Sequence, residues 1–287
     1  MILPDIDAQT QIYGVMGWPI GHTASPAMHN AAYAALGMNA RYLVFAVAPG
    51  LEGDAVRGLR ALGARGVNVT VPHKQAVIPH LDELRGAAAA LGAVNVIARE
   101  GNRLIGHNTD AAGFLRALDE ADMAPAGAEA LMLGAGGAAR AVLYALRLGG
   151  ASAVHIANRT REKAEALAAA FSSPECPVMP APQEQDAFCA VARRVKIIVN
   201  TTSLGMKAGD PLPMPPELIE PRHSVVDIVY NPWETPLLEA ARRAGARSSN
   251  GYGMLLHQAA EAFRIWTGRE APLEPMRAAG ERFIRGE

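Results

Sequence analysis

The amino-acid sequence predicts an α/β fold built as two domains. The chain has 287 residues, more than the roughly 100–150 that one domain usually contains. Short runs rich in β-forming residues alternate with helical patterns along most of its length. A glycine-rich turn, residues 134–139, stands between a strand pattern and a helix pattern near the middle of the chain. This combination is typical of parallel sheets flanked by helices.

The first domain is predicted to be a mostly parallel α/β domain. Its predicted strands are residues 12–16, 41–47, 66–70, 94–98 and 103–105, and its predicted helices are 27–36, 51–62 and 83–91. Ser25 is predicted to cap the first helix, with Pro26 in the first helical position. The last two helical patterns, 253–266 and 273–285, are predicted to return to this domain. It therefore comprises residues 1–109 and 249–287.

The second domain, residues 110–248, is predicted to be Rossmann-like. A helix over 110–121 leads into strands at 130–133, 153–157, 196–200 and 224–229, with helices at 138–148 and 161–171. The proline-rich segment 210–216 is predicted to be an exposed loop. A strand, a glycine turn, a helix and a second strand in this order are typical of a dinucleotide-binding unit.

The glycine turn fits the pyrophosphate of a dinucleotide. Gly134 permits a tight turn, Gly136 lets the backbone approach the phosphates, and the helix from about Gly137 offers free N–H groups and the positive end of its dipole. Ala139 stands at the third position of the fingerprint, which allows alanine. The alternative is a turn that only connects two elements.

The residues after the next predicted strand indicate which dinucleotide binds. An acidic residue there would bind the ribose hydroxyls and favour NAD. This chain instead has Asn158, Arg159, Thr160 and Arg161, and guanidinium groups suit phosphate oxygens. We therefore predict NADP, the alternatives being NAD or a solvated charge cluster at a helix start.

Composition excludes several classes of protein. The net charge is −1 and 19% of residues are charged, so neither nucleic acid nor an anionic membrane surface is an expected partner. Residues 1–5 do not resemble a signal peptide. Cys176 and Cys189 have no metal-type spacing, and no metal site is expected. The predicted location is the cytoplasm.

Three polar clusters stand where strands end or helices begin. Thr23 and Ser25 precede a predicted helix, where they could bind a carboxylate or simply cap the helix. Lys74 follows a strand that ends at a proline, which suits proton transfer or a plain surface position. Asp110 begins a helix at the predicted crossing between domains, where it could serve chemistry or only the helix dipole.

Taken together, these segments resemble the shikimate dehydrogenase family over nearly the whole chain. The matching segments, in order, are residues 17–30, 66–74, 92–95, 106–110, 134–140, 158–160, 200–206, 227–232 and 253–259. The resemblance implies reversible, NADP-dependent reduction of 3-dehydroshikimate to shikimate, an oxidoreductase step at a CH–OH group in aromatic amino-acid (chorismate) biosynthesis. It implies a small-molecule substrate and leaves open whether the chain forms a homodimer.

The resemblance also implies site residues. Lys74 and Asp110 match the catalytic pair, and which of them carries the proton stays open. The residues that match the substrate shell are Thr23 and Ser25 on the carboxylate, Thr70, Asn95 and Gln258 on the ring hydroxyls, and Tyr230. Those that match the cofactor site are Gly134, Ala135, Gly136, Gly137, Ala138, Asn158, Arg159, Thr160, Thr201, Met206, Gly251 and Met254.

Two positions depart from the family's usual pattern. Thr23 stands in place of serine, and Val96 in place of threonine. Both leave the proposed chemistry intact, but they leave open whether quinate or aminoshikimate is also used. Two other functions compete with this one: an NAD-using quinate/shikimate dehydrogenase and a non-catalytic relative that senses a ligand. The presence of both Lys74 and Asp110 favours catalysis over the latter.

Overall fold

The computed structural model describes residues 4–287, so residues 1–3 of the predicted first domain and of the N-terminal segment lie outside the described residues. The strands are β1 Gln11–Gly17, β2 Ala40–Ala46, β3 Gly66–Val69, β4 Glu83–Leu84, β5 Val96–Glu100, β6 Arg103–His107, β7 Glu129–Leu133, β8 Ala153–Ala157, β9 Val178–Pro180, β10 Ile197–Asn200, β11 Ser224–Asp227 and β12 Arg247–Ser249. The helices are α1 Ser25–Ala35, α2 Glu52–Ala61, α3 Ala87–Leu91, α4 Asp110–Glu120, α5 Gly137–Leu148, α6 Arg161–Phe171, α7 Gln185–Arg194, α8 Pro236–Arg243, α9 Tyr252–Thr267 and α10 Leu273–Arg285. Short 3₁₀ turns cover Ile78–His80 and Pro216–Leu218.

The chain forms two compact units, and the first joins the residues up to Asp110 with Leu256–Glu287. Its six-stranded sheet has the order β2-β1-β3-β5-β6-β4. Strand β1 pairs in parallel with β2 and β3, and β4 with β6, whereas the β3–β5 and β5–β6 pairs are antiparallel. Because β1 and β3 run parallel, the segments that follow them leave the sheet at one edge. Those segments carry Thr23, Ser25, Thr70 and Lys74.

The second unit, Ala111–Leu255, contains a six-stranded sheet of order β12-β11-β10-β7-β8-β9. All of its strand pairs are parallel. With β7 taken as the first strand, this is the 3-2-1-4-5-6 order of the doubly wound dinucleotide fold. The predicted α/β fold class is confirmed. Ligands of this fold bind where the strand order reverses, which here is the carboxyl edge of β7.

Helix α1 packs against α10 in the first unit, and an aromatic cluster lies beneath the sheet. The ring of His29 stacks on Tyr42 with 4.3 Å between centroids and an interplanar angle of 4°. Tyr33 and Trp266 pack around the same imidazole. Complete burial lowers the pKa of His29 to about 3, so it is neutral in the folded protein at ordinary pH.

Two sequence predictions about secondary structure were wrong. The predicted helix over 83–91 begins instead with β4, which pairs with Ile105 and Gly106 of β6, and only Ala87–Leu91 is helical. The segment 210–216 is only partly exposed, because Met214 is buried in a core that includes Leu218 and Leu237. Helices α7 and α8 and strands β9 and β12 are additions that the sequence patterns did not predict.

Candidate functional site

A lysine–carboxylate pair forms the centre of the candidate site in the first unit. Lys74 follows β3, and Asp110 is the first residue of α4. The Lys74 ammonium donates to Oδ2 of Asp110 at 2.6 Å. The side chains of Lys74 and Asp110 are 24% and 11% exposed, so the pair is largely shielded from bulk water but a small molecule can still reach it. A shielded ion pair of this kind can hold a donor in place for a reacting oxygen.

Asn95 anchors the other oxygen of the carboxylate. Its amide nitrogen lies 2.8 Å from Oδ1 of Asp110, and its side-chain oxygen accepts from the backbone N–H of Thr109 at 2.8 Å. Asp110 therefore has partners on both oxygens, and a largely buried carboxylate is stable only when it is so bonded. The arrangement fixes the direction in which the carboxylate meets Lys74.

Gln258 of α9 lies beside the same amide. Its Oε1 is 3.4 Å from the Asn95 amide nitrogen, and its backbone carbonyl accepts from the Thr109 hydroxyl at 3.0 Å. The amide has two hydrogens but also faces the Thr109 hydroxyl at 3.0 Å and Asp110 at 2.8 Å. The contact with Gln258 is the longest of the three, and it brings a residue from the end of the chain to Asn95.

The two hydroxyls before α1 do not cap it as predicted. The N-cap position is Ala24, and Ser25 is the first helical residue. The Thr23 hydroxyl instead accepts from the backbone N–H of Ser25 at 3.3 Å and donates to the Ser25 hydroxyl at 3.2 Å. The prediction of Ser25 as cap was wrong because the helix starts one residue earlier than expected, so that Ser25 is already helical and Ala24 takes the cap position. The two hydroxyls are thereby held together at a helix N-terminus, where an anion is favoured.

A buried chain of hydrogen bonds connects this corner to the lysine–carboxylate pair. The Tyr42 hydroxyl donates to Oδ1 of Asn68 at 2.6 Å, and the Asn68 amide donates to the carbonyl of Asn95 at 3.2 Å. Burial raises the pKa of Tyr42 well above its usual value, and a hydrogen bond with Ser25 acts in the opposite direction. Thr70, one residue beyond β3, is partly exposed and lies between Asn68 and Lys74 in sequence.

The glycine turn of the second unit follows β7 at the carboxyl edge of its sheet. Gly134 has φ +109°, and a Cβ built there would lie 2.8 Å from the Thr201 hydroxyl. Thr201 fixes this approach, because its backbone N–H and hydroxyl both donate to the Leu133 carbonyl, at 2.7 and 2.9 Å. Gly136 and Gly137, by contrast, face open space. Only glycine suits the first position, and the turn beyond it is open to a ligand.

Of the residues that follow β8, Asn158 bonds the glycine turn and Arg159 is exposed to solvent. The Asn158 side-chain oxygen accepts from the backbone N–H of Ala135 at 3.1 Å, and its amide donates to the Thr160 carbonyl at 2.7 Å. Arg159 is exposed and forms no ion pair with any of residues 4–287. Arg161 is engaged with Glu165 at 2.7 Å. Arg159 is thus the guanidinium of this motif available to an anion.

A cavity of about 520 Å³ opens beside these residues within the second unit. It is lined by Leu133 and Gly134, by Ala157 at the end of β8 with Asn158 and Arg159 after it, and by Ala181, Pro182, Gln183, Phe188, Thr202, Ser203, Leu204 and the segment 213–215. A cavity of this size with a mixed apolar and polar lining suits part of a dinucleotide. Gln183 and Phe188 were missed from the sequence, because they belong to a loop and a helix with no motif of their own.

The remaining predicted site residues also lie in the second unit. Tyr230 follows β11, and burial raises the pKa of its hydroxyl. Met206 is 57% exposed, whereas Met254 in α9 is partly buried. A Cβ at Gly251 would lie 1.9 Å from the Ile228 carbonyl oxygen, so no side chain fits there. The roles of these four residues stay predictions.

Among residues 4–287, no group of three or more His, Cys, Asp or Glu side chains is arranged to hold a metal ion. In the same part of the chain, no helix combines the length and apolar character needed to cross a membrane. What the structure offers is an acid–base pair in the first unit and a dinucleotide turn in the second.

Family models match three stretches of this chain. The model described as the shikimate dehydrogenase substrate binding domain matches residues 15–97. The model described as shikimate / quinate 5-dehydrogenase matches residues 118–203, and the one described as the shikimate 5'-dehydrogenase C-terminal domain matches residues 251–279.

Individual relatives match along most of the chain. A protein of Moorella thermoacetica named shikimate dehydrogenase (NADP(+)) is 48% identical over 94% of this chain and 92% of its own length. The crystal structure of shikimate dehydrogenase from Aquifex aeolicus has a TM-score of 0.88 at 42% identity, covering 98% of this chain and 100% of that one. A shikimate dehydrogenase crystallised with NADP+ has a TM-score of 0.90 at 38% identity, covering 99% of each chain.

Proposed function

Because the chain belongs to the shikimate dehydrogenase family, we propose that it catalyses the reversible NADP-dependent reduction of 3-dehydroshikimate to shikimate. The resemblance, the enzyme class and the cofactor predicted from the sequence are confirmed at the level of the family. The observation that carries the proposal is the contact of 2.6 Å between Lys74 and Asp110, since a carbinol and a ketone interconvert only if a proton moves with the hydride.

Lys74 and Asp110 carry the proton chemistry in this proposal. NADPH would supply the hydride when it is bound, and NADP+ would accept it in the oxidative direction. In the reductive direction, the Lys74 ammonium donates to the oxygen that was the ketone, while Asp110 holds the ammonium in place. An ammonium has three N–H donors and the contact with Asp110 uses one, which leaves donors for the substrate. In the oxidative direction the same pair receives the proton.

The substrate is held through its carboxylate and its ring hydroxyls. The paired hydroxyls of Thr23 and Ser25 at the start of α1 bind the carboxylate. Asn95, Gln258 and Thr70 bind ring hydroxyls, and Asn95 aligns them with the acid–base pair because it already bonds Asp110. Tyr230 contributes a further hydroxyl to the substrate.

The second unit holds NADP. The turn 134–138 cradles the pyrophosphate at the start of α5, and Arg159 binds the 2′-phosphate beside Asn158 and Thr160. The residues proposed to lie close to the remainder of the cofactor are Thr201, Met206, Gly251 and Met254. The open space over Gly136 and the exposed Arg159 support this assignment.

The test is a spectrophotometric assay of NADP+ reduction with shikimate and quinate side by side, repeated with NAD+. We expect shikimate with NADP+ to give the highest kcat/KM. Comparable kcat/KM with NAD+ would overturn the cofactor assignment, and equal turnover of quinate would favour a quinate/shikimate dehydrogenase.

Assembly and location complete the proposal. A homodimer is supported by the exposed side chains of Leu43 and Val44 on the edge strand β2, each 44% exposed. Light scattering at the exit of a sizing column tests it, and a monomeric mass would contradict it. A cytoplasmic location is supported by the free thiols of Cys176 and Cys189.

A further inference from the structure

A buried histidine next to Lys74 has both ring nitrogens bound to acceptors. His73 is fully buried, with Nδ1 2.8 Å from Oε1 of Glu52 in α2 and Nε2 2.7 Å from the carbonyl oxygen of Val47. A carbonyl only accepts hydrogen bonds, so Nε2 carries a proton. The protonation of Nδ1 then depends on the state of Glu52.

Glu52 is bound through both oxygens of its carboxyl group. Its Oε2 accepts from the backbone N–H of Gly50 at 2.8 Å. The pKa of Glu52 is lowered first by its own backbone N–H and further by His73 and Gly50. The Glu52 carboxyl group is thus bound on one oxygen by Gly50 and on the other by the His73 ring, and the ring is bound through both of its nitrogens. A buried ring is stable when its polar atoms are paired in this way.

The backbone around His73 is tied to the turn that presents Lys74. The His73 N–H donates to the Thr70 carbonyl at 2.9 Å, and its own carbonyl accepts from Val77 at 3.1 Å. The Lys74 carbonyl accepts from the backbone of Val94 at 2.8 Å. The side chain of His73 thus binds two places, the Val47 carbonyl just after β2 and Glu52 in α2. The next residue, Lys74, reaches Asp110 with its side chain.

We propose that His73 is a positioning residue for Lys74, with Glu52 and the Val47 carbonyl as a clamp that holds the turn through both ring nitrogens. The inference rests on the proposed function, because Lys74 is the group it positions. It uses a residue that touches neither substrate nor cofactor in that proposal. A further histidine, the exposed His80, has its ring against Gly53 of α2, the residue after Glu52.

The Glu52→Gln variant tests whether the clamp acts through its hydrogen bonds, because it removes the negative charge of Glu52 and keeps the groups that bond His73 and Gly50. The amide nitrogen of the introduced glutamine can donate to Nδ1 while its oxygen accepts from Gly50, and a neutral His73 still donates to Val47 from Nε2. Every hydrogen bond of the clamp then survives. Glu52→Ala removes the link to α2 altogether. His80→Gln, which removes a nearby histidine outside the clamp, is the matched control.

The full chain is measured by ¹⁵N spectroscopy of the histidine rings at neutral pH and by steady-state kinetics. We expect Nε2 of His73 to carry a proton in the wild type and in Glu52→Gln, because in both proteins it donates to the Val47 carbonyl. We expect Glu52→Ala to lower kcat about 100-fold, since small misplacements of a catalytic group have effects of that size, with the KM for NADP+ changed less than about twofold. Glu52→Gln and His80→Gln should retain kcat within about threefold of wild type, because both keep the clamp.

Three results would overturn the clamp. They are a His73 ring without a proton on Nε2 in the wild type, a Glu52→Ala variant with kcat within about twofold of wild type, and a Glu52→Gln variant as slow as Glu52→Ala. The spectra need no turnover and use the wild-type chain, so they decide the clamp even where Glu52→Ala fails to fold. A wild type that does not oxidise shikimate would instead refute the proposed function.

Discussion

Arg159 gives the sharpest test of how the cofactor is chosen. It follows β8, is exposed and lines the cavity of about 520 Å³ in the second unit. Arg161, two residues further along the chain, forms an ion pair with Glu165, with 2.7 Å between Nε and Oε1. We therefore expect Arg159→Ala to weaken the use of NADP+ and NADPH selectively, because the substitution removes the cation that we propose to bind the 2′-phosphate.

The size of the effect follows from the chemistry of one charged contact. A hydrogen bond to a charged group contributes about 1.5–3 kcal/mol, and about 1.4 kcal/mol corresponds to a tenfold change in rate. The exposure of Arg159 favours the lower half of that range, since solvent screens the charge. We expect kcat/KM for NADP+ to fall about 10- to 40-fold, and kcat/KM for NAD+ to change less than about threefold.

The assay measures kcat/KM for both cofactors at saturating shikimate, at two salt concentrations. Arg161→Ala is the matched control: it removes an exposed arginine from the same motif, and we expect less than about a threefold change with either cofactor because its partner is Glu165. Raising the salt should narrow the difference between wild type and Arg159→Ala with NADP+. An equal loss with both cofactors would refute the reasoning, since the 2′-phosphate would then be bound elsewhere.

Three further predictions concern catalysis and stability. Lys74→Ala should lower kcat by about 10²–10⁴-fold with its fold intact by circular dichroism, and near wild-type turnover would remove Lys74 from the mechanism. Gly134→Ala should lower the free energy of unfolding in urea by more than about 1 kcal/mol, because its φ is +109° and Thr201 leaves no room, whereas Gly136→Ala should cost less than that. His29 has a folded pKa of about 3, below its unfolded value, so the unfolded state binds more protons and stability falls as pH drops below about 6.5. Between pH 6.5 and 5 the free energy of unfolding should fall by about 2 kcal/mol from this cause, and the fall should be absent in His29→Phe. An equal pH dependence of the unfolding free energy in both proteins would contradict the prediction.

The sequence predicted those elements whose own residues determine them. Strand β8 and helices α6 and α10 have the predicted bounds, because each is set by a local apolar period and by clear ends. Strand β4 was mistaken for helix because two residues, Glu83 and Leu84, carry no period, and only pairing with β6 makes them a strand. The burial of Met214 likewise depends on helices far from it in sequence.

The candidate site was predictable as a set of segments but not as a set of contacts. The order of the motifs indicated Lys74 and Asp110 through family resemblance, although the residues are 36 positions apart. No local pattern shows that Asn95 bonds the second oxygen of Asp110, or that Thr23 replaces Ser25 as the group that satisfies the N-terminus of α1. These hydrogen bonds form only when the chain folds. In the sequence their donors and acceptors are separate polar residues with no common pattern.

The contacts of Asp110 explain why substrate recognition and proton transfer are coupled in the proposed mechanism. One oxygen orients Lys74 and the other is held by Asn95, the residue proposed to bind a ring hydroxyl. The longest contact of the Asn95 amide nitrogen is the one with Gln258, at 3.4 Å. A substrate hydroxyl that displaces Gln258 from this nitrogen leaves the bond between Asn95 and Asp110 in place. A ligand that displaces the bond to Asp110 instead would free the carboxylate to turn, and the ammonium with it. Recognition through Asn95 therefore favours substrates whose hydroxyls fit without disturbing that bond, because only these meet Lys74 in the orientation that proton transfer requires.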